Sequence, residues 1–104
     1  MTAVLIYVTT ASHDEAVRIA HAVVGERLAA CANVMAPMTS VFRWEGAIQE
    51  ESEVPLILKT EESLVGRLTE RVKQLHSYQC PCVVALPVTG GNPAFLDWIV
   101  EETA

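Results

Sequence analysis

The sequence predicts a mixed α and β domain in which strands and helices alternate, and three observations carry that expectation. A chain of 104 residues with 51% hydrophobic content suits one compact domain, residues 1–104, with a core of its own. Runs rich in β-branched and aromatic residues alternate with stretches whose apolar residues recur at helical spacing. Polar or Gly/Pro-bearing segments, TASHDE, WEG and TGGNP, punctuate the runs.

AVLIYVT (Ala3 to Thr9) reads as a strand that is apolar on both faces. Ser12, with Glu15 three residues later, forms a capping box for a helix from His13 to Leu28, whose repeat is Ala16, Ile19, Ala20, Val23 and Val24. CANVMAPMTSVFRWEG reads as one long strand broken or bulged near Pro37. WEGAIQEESE reads as a hairpin connection turning at Gly46 with its acids in water, and VPLILKT (Val54 to Thr60) as the returning strand. A second helix runs from Glu61 to Leu75 on the ladder Leu64, Val65, Leu68, Val72 and Leu75. PCVVALPV (Pro81 to Val88) is the fourth long strand. Asn92 and Pro93 start a terminal helix or, on an equally brief pattern, a short fifth strand.

Strand, helix, strand, strand, helix, strand and a C-terminal extension is the order of the ferredoxin-like split βαβ fold. Crossover handedness puts both helices on one sheet face. The other face then has no cover within the chain, although Leu5, Tyr7 and Ile57 are as apolar as the residues they alternate with. Such a face would aggregate if left open, so oligomerisation is expected to bury it, with the long hairpin strands pairing with a neighbour.

Seven basic and thirteen acidic residues give a formal charge of −6, which disfavours nucleic acid and anionic membranes as partners. Neither a leader-like segment nor a run of about 20 apolar residues is visible. Three cysteines, two of them one residue apart, suit free thiols in a reducing cytoplasm better than a disulfide framework.

Cys80 and Cys82 flank Pro81, and on a strand they would share a face and suit a soft cation such as Cu(I). They equally read as small hydrophobes at a strand entrance. Cys31 reads as packing, or as a metal ligand if an interface brings it a partner. His76 suits the negative end of the second helix, or offers an imidazole beside the thiols. Glu45, Glu50, Glu51 and Glu53 read as a solvated turn or a loose divalent-cation site. His13 and His21 lack a ligand partner at helical spacing. No hydrolase, zincin, P-loop or dinucleotide signature is present, so no enzyme activity is expected.

ERLAACANV, SVFRWEGAIQEESEVPLILKT, HSYQCP and FLDWI together resemble the CutA family of divalent-cation tolerance proteins over nearly the whole chain. The resemblance implies a ferredoxin-like subunit in a tight homotrimer, similar in shape to PII signalling proteins. It implies binding of copper or another divalent metal ion, none of it required for folding, and no established reaction. Cys31 falls on the family's AAC cysteine, His76 and Tyr78 on its H-P-Y motif, Trp44 and Glu45 on its W-E pair, and Lys59 on its K-T lysine. His76, Cys82, Cys80 and Cys31 are thus the expected metal residues, and Trp44, Glu45, Lys59 and Tyr78 the expected intersubunit-cleft or structural ones. Ser77 departs from the motif's proline and Cys82 from its usual glutamate, which would tilt a site there toward softer metals. The alternative is a PII-like signalling or scaffold trimer holding a small ligand or protein partner in intersubunit clefts.

Overall fold

A computed structural model of the chain describes residues 2–103. The first strand, β1 (Ala3–Thr10), alternates buried Val4, Ile6, Val8 and Thr10 with half-buried Leu5, Tyr7 and Thr9. Ser12 caps α1 (His13–Gly25), its side-chain oxygen accepting the Glu15 amide at 3.1 Å. The box is modified, because the Glu15 carboxylate reaches back to the Ala11 amide, at 2.9 Å. The helix stops short of the expected Leu28. Arg27 takes a φ of 61°. The Arg27 and Leu28 amides then fold back onto the carbonyls of Val24 and Val23 at 3.1 and 2.9 Å, a Schellman closure. That closure returns Leu28 to the core, which is why its position mimics one more helical turn.

The long second strand divides at the expected place. β2 (Cys31–Val34) and β3 (Met38–Trp44) both pair antiparallel with a single partner, β4 (Ala47–Glu61). Residues 35–37 leave the ladder, and the Met35 amide bonds the Pro55 carbonyl at 3.0 Å. At 15 residues, β4 far exceeds the expected Val54 to Thr60. Most of the expected connection is therefore strand, and the loop shrinks to Glu45 and Gly46, with φ of 50° and 81°. Two positive φ values make the type I′ turn that matches strand twist. Glutamate is strained there, and Asn-Gly is the favoured pair. Glu45→Asn is therefore expected to raise stability by about 0.5–1 kcal/mol, read as a higher denaturant midpoint at unchanged slope.

A 3₁₀ turn (Glu62–Leu64) leads into α2 (Val65–Leu75), so the first turn of the expected second helix is wound more tightly than α. β5 (Val83–Pro87) begins only after Cys82, so neither Cys80 nor Cys82 lies within the strand. The tail is a helix, α3 (Pro93–Glu101): Asn92 Oδ1 accepts the Ala94 amide at 3.1 Å and Pro93 occupies the first turn.

The result is a mixed α/β fold with three helices and an antiparallel sheet ordered β2-β4-β1-β5, with β3 beside the outer half of β4. α1 and α2 cover one face, where Ile6, Val8, Ile19, Val23, Leu56, Leu58, Leu68 and Val72 form the core. The expectation that the second face has no cover within the chain needs correction. α3 packs on β1 and β4, so that Ala3 is buried and the Phe95 ring centre lies 5.6 Å from Lys59 Nζ. The remainder stays open, with Val84 and Leu86, the ladder partners of Tyr7 and Leu5, 51% and 45% exposed.

Candidate functional site

Beyond the sheet, β3 and the outer half of β4 form a two-stranded arm. Strand alternation gives it two faces. Ser40, Phe42 and Trp44 on β3 and Gln49, Glu51 and Glu53 on β4 share one face, paired as Ser40↔Glu51 and Phe42↔Gln49. Val41, Arg43, Ile48 and Glu50 take the other. Opposite the first face runs the segment from Ser77 to Cys82, and a groove of about 860 Å³ lies between them, within the size range of small-molecule sites.

A hydrogen-bonded hub fixes the segment after α2. The His76 imidazole is fully buried, with 0% side-chain exposure. Its Nδ1 accepts the Tyr78 amide at 3.0 Å, and its Nε2 lies 2.8 Å from the Thr9 carbonyl. The Nε2–H tautomer satisfies both contacts. The buried Glu15 carboxylate holds the Ala11 amide on one oxygen and the Ser77 amide, at 3.0 Å, on the other. Burial alone would raise the Glu15 pKa. The hydrogen bonds from Ala11 and Ser77 outweigh it and hold the carboxyl below its ordinary value. From this base Tyr78 reaches across the groove, its hydroxyl donating to Glu53 Oε2 at 2.9 Å. Burial, and then the Glu53 carboxylate, push the phenol well above its ordinary pKa, so Tyr78 stays a donor. Glu53 is buried, contrary to the expectation of a wholly solvated acidic turn, whereas Glu45, Glu50 and Glu51 are exposed.

The residues singled out in the sequence thus fall into separate places. Trp44, Tyr78, Cys80 and Cys82 line the groove. Glu45 sits at the tip of the arm. Cys31 and Lys59 face each other across β2 and β4, with Lys59 Nζ 2.8 Å from Asn33 Oδ1 and 3.7 Å from Cys31 Sγ, and neither lines the groove. His76 lies beneath the segment with both ring nitrogens engaged. Among the described residues, no three His, Cys, Asp or Glu side chains converge as a metal site. One chain alone therefore does not assemble His76, Cys82, Cys80 and Cys31 around an ion. Phe42 was missed, although the alternation of Ser40, Phe42 and Trp44 marks a shared face, and Glu51 and Glu53, read as a solvated turn or loose cation site, line the groove. No described helix is long and apolar enough to cross a membrane.

The family model described as CutA1 divalent ion tolerance protein matches residues 4–102. The chain is 43% identical over 100 residues to Protein CutA 1, chloroplastic, of Oryza sativa, covering 96% of this chain and 56% of the rice protein, so it spans about half the length of that relative. It is 44% identical over 99 residues to the divalent-cation tolerance protein CutA of Thermus thermophilus, covering 95% of this chain and 96% of that protein. The solved Thermus thermophilus Cut A1 structure superposes with a TM-score of 0.96 at 43% identity, over 98% of this chain and 99% of that one.

Proposed function

The chain belongs to the CutA1 divalent ion tolerance protein family, and from that membership we propose a non-enzymatic homotrimer of ferredoxin-like subunits that binds copper or a similar divalent ion in the cytoplasm and contributes to metal homeostasis. The open part of the second sheet face carries the assembly reading. Val84 and Leu86 beside half-buried Tyr7 and Ile57 leave an apolar surface that needs a partner. The outer edge of β3 is unpaired among the described residues, which suits strand pairing with a neighbour.

The metal reading rests on Cys80 and Cys82, which share the groove wall with Glu51 opposite. Thiolates favour soft ions, and a neighbouring subunit would have to supply the remaining donors. Cys31 belongs to the separate Lys59 cluster, and His76 would join a metal only by giving up a backbone hydrogen bond. That engagement also leaves His76 unsuited to act as a base for a thiol nucleophile, in keeping with a non-enzymatic role.

Native mass measurement under anaerobic reducing conditions, with several metals added in turn, tests both parts. The expected result is an assembly of three 11.3 kDa chains that takes up copper stoichiometrically and loses that uptake in the Cys80→Ser/Cys82→Ser double variant. A stable monomer would overturn the assembly, and undiminished uptake by the variant would overturn the thiol site.

A further inference from the structure

The groove contains more than thiols, and the rest of its lining suits a second kind of cation. Its lining residues include no Lys, Arg or His, while Glu51 and Glu53 stand on the arm. Phe42 and Trp44, 38% and 45% exposed, present aromatic surface beside those carboxylates, and Tyr78 closes the opposite wall. Negative charge combined with aromatic surface attracts cations twice over, through the carboxylates and through the ring quadrupoles.

An inorganic ion needs several donors at short range around one point, and no such trio converges among the described residues. A bulky cation with an apolar body does not need one. Its ammonium group can rest near Glu51 while its body lies against Phe42 and Trp44. We propose that this groove binds an organic ammonium ion, an amine carrying an aromatic or alkyl body. The hydrogen bond from Tyr78 to Glu53 Oε2 joins the two walls and keeps one carboxylate in place.

Glu51 and Glu53 are odd-numbered on β4, like Ile57, so the groove continues the sheet face assigned above to assembly, and a neighbouring subunit would stand beside it. The inference does not depend on metal binding, and its test is run on the intact full-length protein in its native assembly with a chelator present.

Benzylammonium and the nearly isosteric, neutral benzyl alcohol are titrated side by side by calorimetry. The ammonium is expected to bind at least about tenfold more tightly. Trp44→Leu and Glu51→Gln are each expected to weaken it about fivefold or more, whereas Trp44→Phe, which keeps a ring, retains most of the affinity. Circular dichroism and native mass establish that each variant is folded and assembled. Equal affinity for the two probes, absence of saturable binding by the ammonium, or binding indifferent to both substitutions would overturn the proposal. The comparison of probes on the unmodified protein decides the matter even if a variant fails to fold. Cys80 and Cys82 line the same groove, and the chelator keeps them free of metal in this titration, so metal uptake, measured as above, is a separate readout.

Discussion

Leu58→Ala is expected to destabilise the protein by about 2–5 kcal/mol, a large share of the roughly 5–15 kcal/mol that holds a domain of this kind folded. Leu58 is fully buried on β4, paired with Ile6 on β1 and Ala32 on β2, in the interior of the sheet. Strands on both sides and helices above prevent collapse around the lost atoms, so the cavity persists. Leu86→Ala removes the same atoms from a side chain 45% exposed on the open face. There the loss to the single subunit is expected to be small, and the effect should fall on assembly. Denaturant titration at several protein concentrations separates the two. Leu58→Ala lowers the midpoint at every concentration, whereas the deficit of Leu86→Ala grows as dilution favours dissociation. A deficit for Leu58→Ala below about 1 kcal/mol would contradict the packing described.

The second large effect belongs to Glu15. Its two oxygens serve the Ala11 and Ser77 amides and so tie the start of α1 to the segment after α2. Glutamine keeps one accepting oxygen and turns N–H groups toward the other amide, so Glu15→Gln is expected to cost about 1–3 kcal/mol. Because the folded-state pKa lies below the ordinary 4.5, the ionised carboxylate contributes its full stability above that value. The contribution disappears as pH falls through the depressed folded-state value, where the folded form must also take up the proton. The variant carries no such group. Its deficit relative to the unmodified protein should therefore be greatest near neutral pH and shrink below pH 4.5. Urea titrations between neutrality and acid check this, and a deficit constant with pH would remove the carboxylate's charge from the explanation.

Local chemistry was legible wherever a residue type had one dominant use. Ser12 marked a helix start and Pro37 the break between β2 and β3, whereas Asn92 and Pro93 left a helix and a short strand both open and the structure makes that segment a helix. Periodicity failed at Leu28, where a chain reversal reproduces helical spacing. Acidity hid the length of β4, because Glu50 and Glu51 have low strand propensity and only pairing with β3 makes them strand. At the site, HSYQCPC drew attention to the right segment but did not reveal its internal order. Whether an imidazole faces a groove or lies beneath it depends on Thr9 and Glu15, more than sixty residues away in the chain. Neither Phe42 nor Glu53 belongs to a short motif, and their role follows from the register of Met38 to Trp44 against Ala47 to Glu53.

The continuity of β4 imposes a counting rule on insertions and deletions. Leu58, Leu56 and Val54 are even-numbered and face the core, while Glu53, Glu51 and Gln49 are odd-numbered and line the groove. Both sets hang on one uninterrupted strand, so the parity set by Leu58 against Ile6 extends to the far end of the arm. Adding or removing one residue between Gln49 and Val54 would turn the outer arm over and present Ile48 and Glu50 where Gln49 and Glu51 now stand. Adding or removing two would leave every face as it was. Arm length can therefore drift among descendants of this sequence in steps of two, whereas a single-residue step needs a compensating bulge.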